Sequence, residues 1–391
     1  MLLDWMEQAC SSEDTTIGNH PLTPSSGGFY GLDTSRGLLD VAFLFAGGIG
    51  TQEDPFQIQT EEQLRAFAVS LTENMDYRGL YIQLDHDIQL TGGDWIPVGE
   101  GEYAFNGHFD GQYHTISGLK IGTAEMPHQD SIGLEANFYF GFFGVLEEHA
   151  EVRNLQLAVE FYVVGGQSLY VAGLAGYISQ ALVEQVHVTG VIEGRTIHQE
   201  ANIFVGGIGG NTYRQQILRC SSNACVRAES VGGMAEAGGI VGMQNRGVIS
   251  NCRSSGSISG ATAGIAAKNG PALGGIAGVH AGTIVNCAAT AAVIADCQAT
   301  YVGALAGWAT GISDTVESCY CLDTPLVVDS FSENRQQIQP AVAIGWSVGR
   351  GINRVGESYA GSVMLNVHGI VAESMPQDTL DFYFAEISKS S

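Results

Sequence analysis

A short glycine-rich motif recurs six times in the middle of this chain, and few folds accommodate such a repeat. The copies read Gly-Gly-Ile-x-Gly or a close variant, as at residues 238–242 and 274–278. Their last glycines are 29 to 36 residues apart and fall at Gly144, Gly176, Gly210, Gly242, Gly278 and Gly307. Self-similarity at a period of this length indicates a repeat protein, in which each repeat is one unit stacked on its neighbours.

A second motif follows each copy after six to nine residues. It is a pair of apolar residues three positions apart. The pairs are Val152 and Leu155, Val183 and Val186, Ile217 and Cys220, Ile249 and Cys252, Ile284 and Cys287, and Val316 and Cys319. On a straight strand, residues three apart face opposite sides. Because both members are apolar, the spacing predicts a corner between them that turns both side chains into the interior.

The repeat positions predict two structural ladders along the axis of the stack. One ladder consists of the closing glycines. The other consists of the second members of the pairs, which are Leu155, Val186, Cys220, Cys252, Cys287 and Cys319.

No segment between residues 165 and 322 keeps helical periodicity over the length of a helix. The segments are instead short, alternating and rich in β-branched residues, as in residues 186–192, and Gly, Asn and Ser separate them. We therefore predict an all-β chain: a parallel β-solenoid of about six repeats of ~32 residues, with an N-terminal cap that contains one helix.

Four segments are predicted along the chain. Residues 1–46 form an N-terminal segment that resembles a linker, and residues 47–140 form the N-terminal cap. The repeats occupy residues 141–323, and residues 324–391, where the motif is lost, form a C-terminal cap, because end coils of a solenoid expose edges that need cover. A capping box at residues 60–63, followed by one apolar face, predicts a helix over 60–73.

Four of the eight cysteines, Cys220, Cys252, Cys287 and Cys319, occupy the same position in successive repeats. Stacked coils place equivalent positions about 4.8 Å apart, within the Cα range of a disulfide. Parallel Cβ vectors do not give the torsion that a disulfide requires. Disulfides and reduced thiols both remain open at this point, and the sequence favours a ladder of buried, reduced thiols.

The charge of the chain excludes two classes of partner. Lys and Arg number 16 and Asp and Glu number 41, so the net charge is −25. A phosphate backbone needs many cations, so no nucleic-acid binding is expected, and an anionic membrane surface would repel the chain. No run reaches the ~20 apolar residues of a membrane helix, so no membrane insertion is expected. No signal peptide or anchor is visible in the sequence.

The repeats resemble the GLUG-motif family. The resemblance rests on Gly-Gly-Ile-x-Gly at 238–242 and 274–278, followed by Ile-x-Asn-Cys at 249–252 and 284–287. Further motifs of the family are similar to Gly50–Phe56, Thr60–Leu64, Phe105–Gly111 and His114–Leu119, so the resemblance covers roughly residues 47–322. It implies an adhesin-like bacterial protein, extracellular or on the cell surface. Some members are IgA-cleaving metallopeptidases, but no His-Glu-x-x-His occurs here.

Aromatic residues of the cap are the candidate ligand-binding residues: Trp95, Tyr103 and Tyr113, together with Asp110. Exposed rings beside polar groups suit stacking on sugars. The alternative, which the sequence favours, is that the rings pack the core of the cap.

No catalytic, cofactor-binding or metal-binding residue is predicted. An enzyme on a β-helix would need clustered carboxylates, for which the candidates are Asp85, Asp87, Glu100, Glu102 and Asp110. Asp110 has a structural interpretation in a turn, and Asp85 and Asp87 have one on a solvated strand face. The many carboxylates make calcium the most plausible ion, but no calcium-binding motif is present.

Three functions are compatible with the sequence. The leading hypothesis is a non-enzymatic surface or secreted scaffold that displays a binding surface to a glycan or a host or matrix protein. The alternative is a carbohydrate-active enzyme, a polysaccharide lyase or glycosidase, on a parallel β-helix. A second alternative is a structural fragment of a larger surface protein. The sequence does not indicate the oligomeric state.

Overall fold

Parallel strands stack on one another through most of the chain. The computed structural model describes residues 44–372, apart from 74, 100, 130–137, 263–270, 297–299, 310–313, 322–325, 329–337, 342–343, 348–351, 356–358, 361–364 and 368–369. The described residues belong to one unit that spans residues 37–391. The linker prediction for residues 1–43 and the end of the C-terminal cap after residue 372 lie outside the described residues.

Two sheets build the coils. The small sheet consists of Phe138–Phe140, Leu169–Ala172, Ile203–Gly206, Ala235–Gly238, Ala272–Gly274, Thr300–Gly303 and Ile338–Ala341. The large sheet consists of Phe56–Ile58, Tyr81–Leu84, Ile88–Gln89, His108–Asp110, Thr115–Ile121, His128–Gln129, Phe143–Leu146, Glu151–Gly165, Ala175–Ser179, Leu182–Thr196, Gly209–Leu218, Ser221–Ser230, Val241–Ser250, Arg253–Thr262, Ala277–Val285, Ala288–Ala289, Ala292–Asp296, Ala306–Ala309, Asp314–Glu317, Tyr320–Cys321, Leu326–Val328, Ile344–Ser347, Ile352–Val355, Tyr359–Ala360, Leu365–Val367 and Ile370–Ala372.

The predicted parallel β-solenoid is confirmed by the register of the strands. The first members of the apolar pairs lie side by side in successive coils, from Val152 through Val183, Ile217, Ile249 and Ile284 to Val316. Each of them is fully buried. The repeat of the sequence is therefore one coil of the fold.

The second members of the pairs form another interior row, and its composition changes along the stack. Leu155 is paired with Val186 in the next coil, and both side chains are fully buried. Ser221 is paired with His187, which places Cys220 beside Val186. The row therefore begins with two aliphatic residues, Leu155 and Val186, and becomes a row of thiols only from Cys220 onward.

The predicted corner between the two members of each pair is also present. The residue before the second member has a left-handed backbone, with φ of 56° at Asn251 and 53° at Asn286. The equivalent residues Asn154, Gln185, Arg219 and Ser318 have φ between 52° and 55°. Asn tolerates this conformation better than most residues, which explains the Ile-x-Asn-Cys motif. One left-handed residue reverses the alternation, so both members point inward.

The closing glycines form a second ladder, in which backbones touch. A Cβ atom built on Gly210 would lie 2.6 Å from the carbonyl oxygen of Gly176. The same distance separates a Cβ on Gly242 from the oxygen of Gly210. No side chain fits at such a distance, so glycine is required wherever these coils meet.

The four aligned cysteines are buried and form no disulfide bond. The Sγ atom of Cys252 lies 3.3 Å from the carbonyl oxygen of Ser250 and 3.5 Å from that of Ile217 in the preceding coil. Cys220, Cys287 and Cys319 make equivalent contacts with the backbone. The neighbouring thiol of Cys220, together with burial, raises the pKa of the Cys252 thiol well above its ordinary value. The Cys252 thiol therefore stays protonated, and the four buried side chains act as small interior groups.

The segment predicted as the N-terminal cap supplies coils of the same stack. Phe56 pairs with Ile82, Ile82 with Phe109, and Phe109 with Val152, so the interior ladder begins at residue 56. The predicted helix is confirmed as α1 (Glu61–Ser70), with a 3-10 turn at Leu71–Glu73.

The capping box of α1 forms as predicted. The backbone N–H of Gln63 donates to Thr60 Oγ1, and the Gln63 side chain accepts from the backbone N–H of Thr60. The buried side chains of α1, among them Leu64 and Phe67, join the interior of the first coils, where Phe67 packs on Tyr77. The helix therefore extends the main core over this end of the stack.

A further coil follows the repeats that the sequence shows. Ala306 pairs with Ile344 and Trp308 with Trp346, so the stack continues past residue 338. The described chain then turns back, because Leu365–Val367 pairs antiparallel with Ile370–Ala372. An antiparallel strand ends the run of parallel coils.

A second, smaller core joins residues of the two sheets, and a buried acid lies beside it. Phe204 and Ala272 of the small sheet pack there with Met243, Val279 and Trp308 of the large sheet. Glu236 occupies the row between Phe204 and Ala272 and is 2% exposed. Its Oε2 atom has no hydrogen-bond partner among the described residues, and burial raises the pKa of its carboxyl well above the ordinary value.

Glu236→Leu is expected to stabilise the protein by about 1–3 kcal/mol at neutral pH, because it replaces an unsatisfied buried polar group with an apolar one. The pKa of the Glu236 carboxyl is higher in the fold than its value of about 4.5 in the unfolded chain, so the group contributes stability below pH 4.5. That contribution is lost as the pH rises. The advantage of the variant should therefore grow above pH 4.5, as measured by urea unfolding. Glu200→Leu, at an exposed position, is the control; equal effects of both would contradict the interpretation.

Candidate functional site

Trp95, one of the candidate binding residues, belongs to the core. Its side chain is 3% exposed, and its Nε1 donates to the carbonyl oxygen of Phe142 at 3.0 Å. Its ring stacks on that of Phe142, with centroids 5.3 Å apart. Trp95 therefore has no ring face free for a ligand, and it packs the core, as the alternative interpretation of the sequence holds.

Tyr103 and Tyr113 are exposed, by 40% and 56% respectively. The hydroxyl of Tyr113 lies 3.5 Å from Gln185 Oε1. Asp110 is held in a turn, where its Oδ1 accepts from the backbone N–H of Gln112 and from Asn154 Nδ2. Among the described residues, no ring contact joins Tyr103 or Tyr113 to the buried Trp95, so the structure does not bring the three rings together.

The other acidic candidates also have structural partners. Asp85 accepts from the side-chain amides of Gln59 and Gln83. The backbone N–H of Thr115, followed by the ring of His114, lowers the pKa of the Asp87 carboxyl. Glu100 and the side chain of Glu102 lie outside what the structure describes.

The structure brings together a different set of side chains on the outer face of the first coils. Tyr81, His108 and Glu151 are neighbours on three successive parallel strands, and Gln83, Asp110 and Arg153 form the next row. Neighbouring strands lie ~4.8 Å apart, so each row is a line of contacting groups. Ile82, Phe109 and Val152 alternate with these residues and point inward, which fixes the outward direction of both rows.

Two clefts flank the pair His108 and Glu151, which lines both of them. The first has a volume of about 520 Å³ and is also lined by Arg78, Asn106, Glu148, His149 and Gln180. The second has a volume of about 390 Å³ and is also lined by Gln52, Glu53, Pro55, Tyr81, Gln83, Asp110, Gln112 and Arg153. We call these two clefts, with the pair between them, the outer trough.

The second members of the apolar pairs take no part in the outer trough, whereas Ile82 and Phe109 of the first row line part of the second cleft. Leu155 and Val186 are fully buried, and neither of them lines either cleft. The aligned cysteines are buried in the same row. These residues therefore hold the coils together, and the trough is lined mainly by outward-facing strand residues and by the turns beside those strands.

The charged groups on the floor of the outer trough are paired. Arg153 Nη2 lies 2.5 Å from Glu151 Oε2, and His108 Nδ1 lies 3.2 Å from the same oxygen, within ion-pair distance but outside hydrogen-bond geometry. Arg78 pairs with Glu148 at 2.5 Å. The ring of Tyr81 stacks on His108, with centroids 4.2 Å apart and planes 8° apart. The floor is a fixed array of hydrogen-bonding groups.

Within the described residues, no group of three or more His, Cys, Asp or Glu side chains is arranged to hold a metal ion. No described helix is long and apolar enough to cross a membrane.

Comparisons with known proteins give partial relatives. No protein-family model matches the chain. A protein of Evansella cellulosilytica, provisionally named a Gly-rich membrane protein, is 33% identical over 153 residues, which are 38% of this chain and 16% of that protein. Halomucin of Haloquadratum walsbyi is 30% identical over 188 residues, 45% of this chain and 2% of halomucin. The chain thus corresponds to a small part of either relative.

One solved structure is similar to this chain over most of the length of both. It is a Bacteroides ovatus protein provisionally assigned as an immunoglobulin A1 protease, with a TM-score of 0.55 and 22% identity over 82% of this chain and 87% of that one. This chain shares its fold. At this identity the likeness concerns the fold alone. It agrees with the coarser part of the resemblance drawn from the sequence, a glycine-rich repeat protein with a β-solenoid fold.

Sequence reasoning missed Glu151 and Arg153 and did not place His108 beside them, although a signal was present. His108-Phe109-Asp110 and Glu151-Val152-Arg153 have the same pattern of an apolar residue between two polar ones. Extending the apolar ladder toward the N-terminus aligns these segments and places their polar residues on one face. The signal is weak, because the two segments are separated by a long and irregular stretch of chain.

Proposed function

We propose that this chain is part of a non-enzymatic extracellular or cell-surface repeat protein, a solenoid scaffold that holds a ligand in the outer trough. The observation that carries the proposal is the pairing of three of the four carboxylates that line the trough. Glu151 is bound by Arg153, Glu148 by Arg78 and Asp110 by Asn154. Groups fixed in this way suit the recognition of a ligand more than proton transfer, which needs a carboxyl group available to the substrate.

The division between interior and exterior supports a scaffold. Inside, Val226, Ile258 and Val293 are equivalent buried residues of successive coils. Outside, the equivalent positions differ, as Ser221 and Arg253 show. A stack with a uniform interior and a variable exterior can change its outer surface without loss of the fold.

The relatives support the proposed location. One is named as a membrane protein, and this chain matches 16% of its length. Both relatives are much longer than the matched segment. A surface protein of that length would carry such a solenoid as one module among others.

The experiment separates binding from turnover. The full chain is immobilised and exposed to a panel of polysaccharides and host-matrix proteins, and released reducing sugar is measured in parallel. Retention of a ligand without product is the expected result. Release of a product that the Glu151→Gln variant fails to release would overturn the proposal in favour of a carbohydrate-active enzyme.

A further inference from the structure

We infer that the ligand of the outer trough is a neutral oligosaccharide. This inference rests on the proposed function and specifies the ligand class of the same site. It is argued from the length, polarity and charge of the trough.

The outer trough is long enough for several sugar units. It extends from Pro55, beside the first strand of the stack, to Gln180, beside the fifth. Four spacings of ~4.8 Å between parallel strands correspond to about 19 Å. A site of this length fits an extended chain better than a single small molecule.

The lining of the trough suits hydroxyl groups. Side-chain amides project from Gln83, Asn106 and Gln180, beside the carboxylates and guanidinium groups already described. Amides, carboxylates and guanidinium groups together offer donors and acceptors at short intervals. A sugar hydroxyl both donates and accepts, so such a lining satisfies it from two sides.

The apolar side chains suit the carbon face of a sugar ring more than a protein partner. Pro55 and Tyr81, both half-buried, provide the apolar surface on the rim of the second cleft. Protein interfaces depend on a few large apolar or aromatic anchors buried at their centre. Among the described residues, the exposed large hydrophobic side chains lie elsewhere: Ile49, Ile96, Tyr103, Tyr113, Met126, Ile197 and Ile294.

The charge of the trough disfavours acidic ligands. Its lining carries two guanidinium groups, of Arg78 and Arg153, against four carboxylates, of Glu53, Asp110, Glu148 and Glu151. The whole chain carries a net charge of −25. Polyanions such as uronic-acid or sulfated glycans would meet a negative potential at the site and around it. A neutral glycan meets no such repulsion.

The test compares neutral and acidic polysaccharides on the full chain. The neutral probes are laminarin, glucomannan, xyloglucan and galactan, and the acidic probes are polygalacturonate, hyaluronate and chondroitin sulfate, in affinity electrophoresis followed by calorimetry. Binding of at least one neutral probe is expected. The double variant Gln83→Ala/Glu151→Gln should bind it about tenfold more weakly, since it removes two groups from the trough floor.

The matched control is Arg227→Gln/Glu229→Gln, which alters a surface Arg–Glu pair on a later coil outside the trough. It should bind as the unchanged protein does. The melting temperatures of both double variants test whether the fold is intact. If the double variant of the trough has lost its fold, Gln83→Ala alone replaces it, and a smaller loss of affinity is expected.

Three results would overturn the inference: binding of acidic probes only, binding of none of the glycans, or unchanged affinity in the folded trough variant. Retention of a matrix protein without any glycan would refute the neutral-glycan ligand and leave the scaffold function standing. Product release that depends on Glu151 would instead refute the scaffold function itself.

Discussion

Gly242→Val is expected to destabilise the central coils by about 3 kcal/mol or more, the largest effect of any single substitution that we propose. The new Cβ atom would lie 2.6 Å from the carbonyl oxygen of Gly210 and 2.7 Å from the backbone nitrogen of Val205. Both are backbone atoms held by parallel strands, so neither can move aside. Gly242→Ala carries the same Cβ atom and should show a smaller loss in the same direction.

The measurement is unfolding in guanidinium chloride, followed by circular dichroism. Because each coil contacts only its neighbours, a defect in the middle of the stack is expected to separate one transition into two. Gly93→Val is the matched control, since nothing lies within 4 Å of a Cβ atom at Gly93. A Gly242→Val protein as stable as the Gly93→Val control would show that the coils do not touch at this glycine.

The solenoid was predictable because the repeat contains residues for both of its physical requirements, which are close contact between backbones and a turn in each coil. The closing glycines indicate where backbones touch, and pairs such as Ile249 and Cys252 indicate where the chain turns. The Asn between them, Asn251, adopts the left-handed backbone that the turn needs. A periodic sequence repeats this information in every coil, so chance matches are easily excluded.

The first coils were less visible because their ladder is built from other residues at other intervals. Phe56, Ile82 and Phe109 precede Val152 in the same row. Large aromatic side chains such as Phe67 fill the interior near α1, and the small-residue motif is absent there. The last coil was missed for a related reason, since Ala341 replaces the first glycine of its motif.

The candidate site could not be found from local motifs. His108, Glu151 and Arg153 come from segments far apart in the sequence, and only the strand register brings them together. Trp95 is the opposite case: a residue type suited to ligand binding serves the core, as the sequence favoured, because its indole N–H finds a backbone acceptor inside. Residue type alone does not distinguish the two roles; the direction of the side chain does.

Acid is expected to weaken the solenoid through one interior residue, His280. Its side chain is fully buried, and its Nδ1 lies 2.8 Å from Gln244 Oε1 in the preceding coil. Burial lowers the pKa of His280 from 6.5 to about 3. The folded protein therefore binds fewer protons than the unfolded chain below pH 6.5. A lowered pKa in the fold gives stability that is present above the unfolded value and is lost as the pH falls.

The measurement is the free energy of unfolding of the unchanged protein and of His280→Leu, and the difference between the two is followed with pH. This difference should fall by about 2 kcal/mol as the pH is lowered from 7.5 to 5, with a slope of about 1.4 kcal/mol per pH unit below pH 6.5. The subtraction removes the contribution of the many carboxylates, which titrate in both proteins. The range ends at pH 5 because the isoelectric point is near 4.5, where low net charge promotes association.

His198→Leu, which removes an exposed histidine, should leave the pH dependence unchanged. The two variants together identify the origin of the acid sensitivity, since both remove one imidazole and only His280 lies inside the stack. A difference curve for His280→Leu that stays flat from pH 7.5 to 5 would show that His280 is protonated within the fold. In that case the polar interior row formed by Thr212, Gln244 and His280 would have to accommodate a charge.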